Sequence, residues 1–167
     1  MSGVPELLPG NACFGCGQEN ERGLGITVRR DPADPKRILG EFRPQDHMIG
    51  FPGVTHGGAI YTALDCMATW SGMLLRKTRA IWILRSATMK YHRPAFQGKV
   101  LSLSATIESE GGPWDAIEVR AEARDAQQNL LAEGTFKVIP LPPDRFKTML
   151  GIEQLPEGWN RWLGERA

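Results

Sequence analysis

The segment from Gly57 to about Leu75, "GGAIYTALDCMATWSGMLL", constrains the fold more than any other stretch. It lacks proline and sets Ile60, Leu64, Met67 and Leu74 at helical spacing, with Ala59, Ala63, Trp70 and Met73 beside them. The pattern predicts one helix that is apolar on most of its sides. After it the period drops from about 3.6 to about 2. Ala87, Met89 and Tyr91 alternate with Ser86, Thr88 and Lys90, and Leu101, Leu103, Ala105 and Ile107 with Ser102, Ser104 and Thr106. Ile117, Val119, Ala121 and Ala123 then alternate with Glu118, Arg120, Glu122 and Arg124, and "LAEGTFKVI" continues the theme, with turns at "EGGP" and "DAQQN". A lone helix with so wide an apolar surface is covered only by a sheet that curls around it. The sequence therefore predicts an α+β domain in which a curled antiparallel sheet of four long strands wraps one long central helix.

Two shorter strands, "GITVRRD" and "RILGEFRP", precede the helix and are joined by the turn-forming "PADPK" as a hairpin. Residues 1–24, rich in Gly, Pro and Asn, read as an irregular leading segment, residues 25–140 as the domain, and residues 141–167 as a tail. The tail carries a short helical stretch, "DRFKTML", and a Trp-containing end, "EGWNRWLGER", expected to pack on the outside or on a partner subunit. A chain of 167 residues suits one ordinary domain. Lys and Arg total 20 against 19 Asp and Glu, so no basic field for nucleic acid exists. No apolar run approaches the ~20 residues of a membrane span, and "MSGVPELLPG" lacks the regions of a signal peptide. A cytoplasmic protein is expected, with Cys13, Cys16 and Cys66 as thiols.

The start of the helix carries the chemistry. Helix N-termini present unpaired N–H groups and about half a positive charge. Glycine lets a substrate approach that backbone closely. "HGG", His56 to Gly58, thus reads as an oxyanion site for a carbonyl, with the Gly57 or Gly58 N–H as donor. The plainer alternative is a turn that simply begins the helix. Asp65 lies mid-helix, where the positions three and four residues away hold Tyr61, Thr62, Ala68 and Thr69, so no local cation pairs with it. A partly buried carboxylate of this kind has a raised pKa and is enriched at catalytic sites, although a hydrogen bond to a tertiary partner is the alternative. Gly58, Tyr61, Thr62, Ala68, Thr69 and Gly72 share its stripe and permit close approach by another element.

At ~1.5 Å per residue, Asp65 lies about 10 Å along the axis from Gly58, too far for both to address one carbonyl carbon. If they cooperate, they come from different chains. A two-fold dimer with antiparallel helices brings the carboxylate of one subunit to the HGG turn of the other.

"GFPGVTHGGAIYTALD", "YHRPAFQGK" and the leading "NACFGCGQENERGLGI" together resemble the hotdog-fold acyl-CoA thioesterases of the phenylacetate and 4-hydroxybenzoyl-CoA type, over about residues 11–140. The resemblance implies that Asp65 is general base or nucleophile, that the Gly57 N–H polarises the thioester carbonyl and that His56 orients the turn or contacts the thioester. It implies acyl-CoA as substrate, and a homodimer or a dimer of dimers, a homotetramer, with the site shared between subunits. The chain departs from the family at Gly50, where many members carry Asn, and at Leu84, where they carry Ser or Thr. His47, Ser86 or Thr88 are the substitutes for positioning water. The hydratase branch of the fold needs an Asp and His paired at the helix start, which this chain lacks. A non-catalytic acyl-CoA binding or regulatory module is the alternative function.

Cys13 and Cys16 in "CFGC" have zinc-like spacing, but a structural site takes four ligands and the sequence offers no second pair, so packing of the leading segment is the reading, with no metal and no cofactor. No βαβ context supports a thioredoxin-like role. Arg76, Lys77 and Arg79, with Lys90, His92 and Arg93, form a basic set that suits the phosphates of coenzyme A, or solvent.

Overall fold

The structure, a computed structural model, describes residues 8–109 and 111–164. The first seven residues of the leading segment and the last three of the tail lie outside the described residues. Strands β1 (Thr27–Arg30) and β2 (Arg37–Phe42) form the expected hairpin. A two-stranded ribbon follows, β3 (Ile49–Phe51) and β4 (Val54–Thr55), and leads directly into helix α1 (Gly57–Leu75). Then come β5 (Ile81–Tyr91), β6 (Leu101–Ile107), β7 (Ile117–Arg124) and β8 (Leu130–Leu141), and the tail helices α2 (Pro143–Leu150) and α3 (Trp159–Gly164).

Six strands make one antiparallel sheet in the order β1-β2-β6-β7-β8-β5. Helix α1 touches β1, β2 and β5 to β8, so the sheet wraps it as its apolar breadth requires. The alternation puts Leu101, Leu103 and Ala105 of β6, Val119 and Ala121 of β7 and Phe136 and Val138 of β8 into the buried core with Ala63, Leu64 and Met67 of α1. The open stripe of the helix is narrower than the sequence suggests. Tyr61, Thr62, Asp65 and Thr69 stay half-buried, but Ala68 and Gly72 are covered.

Gly72 is covered because the Trp82 indole of β5 lies on it, and a Cβ there would sit 2.3 Å from the ring. Gly72→Ala is expected to destabilise the protein. The alanine gains up to ~1 kcal/mol in helix propensity, but overpacking against a large ring that is itself buried costs ~1–3 kcal/mol. A lowered midpoint in urea unfolding checks this, and an unchanged or raised midpoint means that Trp82 moves freely.

The tail folds back on the leading segment. The Trp159 indole N–H donates to the Pro9 carbonyl at 2.9 Å, Phe146 and Trp159 stack at 5.9 Å, and Leu155 and Leu163 are buried. Among the described residues no helix is long and apolar enough to cross a membrane.

Candidate active site

His56 caps α1 in extended conformation, and its ring Nδ1 accepts the Gly58 N–H at 2.9 Å. A ring that accepts at Nδ1 carries its neutral-state proton on Nε2, so His56 offers a donor of its own at the exposed helix start. The capping bond also resolves which glycine is available. Gly58 has spent its N–H on His56, whereas the Gly57 N–H has no acceptor among the described residues. Tyr91, at the end of β5, donates its hydroxyl proton to the Gly57 carbonyl at 3.0 Å and fixes that peptide. The turn is held from behind as well, because the His56 N–H donates to the Met48 carbonyl at 2.8 Å.

A cleft of about 580 Å³ opens beside this turn, lined by His56, Gly57, Tyr91, His92 and Arg93 together with apolar residues of β3, β4 and β8. Arg93 and Pro94 also border a second cleft of about 610 Å³ that runs past Phe96 and Lys99. The His92 ring bonds Glu133 at 3.0 Å, and Glu133 also accepts from Arg120 at 2.8 Å, so His92 is anchored. Thr55, directly before His56, lines the first cleft, and its buried hydroxyl has no partner among the described residues. Sequence reasoning missed Thr55 and Tyr91. Thr55 precedes the glycine-rich turn without any spacing signal, and Tyr91 read only as one position in the alternation of a strand.

Asp65 does not line this cleft. Its carboxylate has no hydrogen bond or ion pair among the described residues, and burial raises its pKa to about 6, with the nearby Cys13 charge adding to the effect. The same burial, and Asp65 itself, push the Tyr61 hydroxyl up. The remaining candidates disperse. His47 is exposed on the short turn Asp46–Met48 before β3, and Ser86 and Thr88 are exposed on β5, an edge strand with an irregularity between Leu84 and Ser86. None of the three borders the cleft. At Gly50 a Cβ would stand 3.0 Å from the His56 Cα, so the ribbon lies too close to the helix start to accept a side chain without shifting.

The basic set is split. Arg76 donates to the Gly111 and Gly112 carbonyls and closes the far end of the fold, where Lys77 and Arg79 are exposed. The 19 residues of α1, about 28 Å at helical rise, separate them from Arg93.

The Asp65 shift has a consequence for stability. A carboxyl whose pKa is raised by folding holds its proton more tightly in the folded state. Its contribution is present below the unfolded value near ~4 and is lost as pH rises to about 6. Asp65→Asn removes that loss, so the variant should gain on wild type between pH 4 and pH 7. Two pK units correspond to ~2.7 kcal/mol, and the partial solvation of the group reduces the expected gain to about 1 kcal/mol. Urea unfolding at both pH values measures it, and parallel pH profiles would mean that the carboxylate is well solvated.

The sequence of residues 52–132 matches the family described as the thioesterase superfamily. No match to this chain is found among the curated proteins. Among solved structures, the chain is similar to the PaaI protein of E. coli from the phenylacetic acid degradation operon, with 19% identity over 71% of this chain and 80% of that one and a TM-score of 0.62. It is similar to smu.793 of Streptococcus mutans bound to acetyl CoA, with 14% identity over 70% of this chain and 89% of that one and a TM-score of 0.61. A hypothetical thioesterase of Streptococcus pneumoniae with coenzyme A matches at 11% identity, over 70% of this chain and 86% of that one, with a TM-score of 0.61. At such identities these likenesses establish the fold. With its six-stranded sheet wrapped on α1, the chain has the hotdog fold, and the segment from the ribbon to the first residues of β8 matches the thioesterase superfamily.

Proposed function

We propose that this protein hydrolyses an acyl-CoA thioester to the free acid and coenzyme A, as a two-fold dimer in which each site takes its oxyanion donor from one subunit and its carboxylate from the other. One observation carries the reading: Gly57, whose N–H has no acceptor among the described residues, lines a cleft that its own Asp65 does not border. The uncovered stripe of α1, with Asp65 at its middle, and the exposed Phe51 at 76% beside the cleft are surfaces that a second copy covers. The coenzyme A and acetyl CoA held by structures of this fold support the substrate class.

In this reading the thioester carbonyl oxygen sits against the Gly57 N–H, where the helix N-terminus stabilises the negative charge that develops on it. His56 adds a donor at Nε2, and Tyr91 keeps the peptide in place. The partner's carboxylate, raised toward neutrality, either takes a proton from the attacking water or attacks the carbonyl itself to form an anhydride that water then opens. Both routes expel the coenzyme A thiolate, which is protonated on release. Arg93, at the mouth shared by the two clefts, meets the phosphates of the nucleotide.

The test is thiol release from a panel of acyl-CoAs running from acetyl through long-chain to aromatic. Turnover of at least one member supports hydrolysis. Tight binding without release of thiol from any of them identifies a binding module instead, the reading that the Gly50 and Leu84 departures favour.

A further inference from the structure

The three cysteines take no part in the proposed reaction, yet the fold brings them together. Cys13 and Cys16 come from the leading segment and Cys66 from α1, one residue past Asp65. Their sulfurs all lie within 4.8 Å of one another, with 3.9 Å between those of Cys13 and Cys66. Three thiolates on one tetrahedral zinc, at ~2.3 Å each, stand about 3.8 Å apart.

The turn that carries the first pair is shaped for this approach. The Gly17 N–H donates to the Cys13 carbonyl at 2.9 Å, and the Cys13 N–H donates to the Asn11 side-chain oxygen at 3.0 Å. A Cβ at Gly17 would fall 2.4 Å from the Cys13 backbone, and one at Gly15 would fall 2.3 Å from the Cys66 sulfur. A larger residue at Gly15 presses on the Cys66 sulfur, and one at Gly17 presses on the backbone of the turn that carries Cys13.

Donors also point at the sulfurs. The Trp70 indole N–H donates to Cys16 at 3.1 Å, and the Asn11 amide reaches the same sulfur at 3.6 Å. Thiols packed as small hydrophobes do not require such donors, whereas thiolates do. Three thiols set this close do not all ionise without a cation among them, because like charges at such spacing repel.

We propose that Cys13, Cys16 and Cys66 together bind a soft divalent metal ion, zinc in the first place, with solvent as the fourth ligand. Thiolates select zinc over the hard cations magnesium and calcium. No fourth His, Cys or carboxylate joins the cluster among the described residues, and Cys13 is exposed, so the open position faces water. Binding passes the remaining thiol protons to solvent and moves no electrons. The ion ties the leading segment to the helix turn that carries Asp65. Spacing alone could not reveal it, because the third ligand lies 53 residues from Cys13.

The test uses the full chain, purified under reducing conditions, loaded with Zn²⁺ or Co²⁺ and passed through gel filtration. About one ion should be retained per chain, and the Co²⁺ form should show thiolate-to-metal charge transfer in the near ultraviolet with intense visible bands of a tetrahedral site. Cys13→Ser, at an exposed position, should keep the circular dichroism of wild type and lose at least ~100-fold in metal affinity, and Cys66→Ser should lose it likewise. Failure of the reduced wild type to retain either ion overturns the proposal. So does retention undiminished in Cys13→Ser, or a freshly isolated protein whose cysteines are paired as a disulfide. None of these readouts depends on thioester hydrolysis.

Discussion

Asp65→Asn should fold, keep the oligomeric state of wild type and lose at least ~100-fold in turnover, since a positioned general base typically contributes 10²–10⁴. The substitution preserves shape and removes only the negative charge. The wild-type group has no hydrogen bond or ion pair among the described residues that the change would break, and the variant, with no charge to desolvate, should gain stability at neutral pH. A large loss of rate with no loss of stability would separate catalysis from folding. Hydrolysis within a few-fold of wild type would remove Asp65 from the mechanism.

The second large effect tests the sharing of the site. Gly57→Pro deletes the N–H of a residue that lines the cleft, at a first-turn position where proline fits the backbone. That variant and Asp65→Asn should each be nearly inactive alone. Refolded together in equal amounts, they should give about half mixed dimers, each with one intact and one doubly damaged site. Activity should then return to about a quarter of wild type. Mixed dimers identified by mass spectrometry that show no recovery would place both groups in one chain, and the distance argument along α1 would fail.

The wrapped helix was legible because its apolar residues leave the sheet no other arrangement, and the four strands after it because their alternation is nearly unbroken. The ribbon β3–β4 was not, since its residues are few, mostly exposed and free of alternation. Ala68 and Gly72 read as open surface, yet both are buried, Gly72 under Trp82, whose place on the helix depends on how β5 returns. In the candidate site, the HGG turn and Asp65 announced themselves by residue type. The choice of Gly57 over Gly58 needed the His56 ring orientation, which no spacing encodes. The basic residues looked like one set because they flank β5 in sequence, and a strand of that length holds its two ends far apart.

The strand order β1-β2-β6-β7-β8-β5 also bears on how fast the chain folds. β6, β7 and β8 pair in sequence across short turns, so this meander forms with little loss of loop entropy. Its two borders are different: Phe42 meets Leu101 and Tyr91 meets Ala132, and these pairings close loops of roughly 60 and roughly 40 residues. Because α1 lies between β2 and β5 in the chain, the longer closure, β2 on β6, must be made around it. The helix start and Asp65 are thus enclosed only when the longest loop of the sheet has closed.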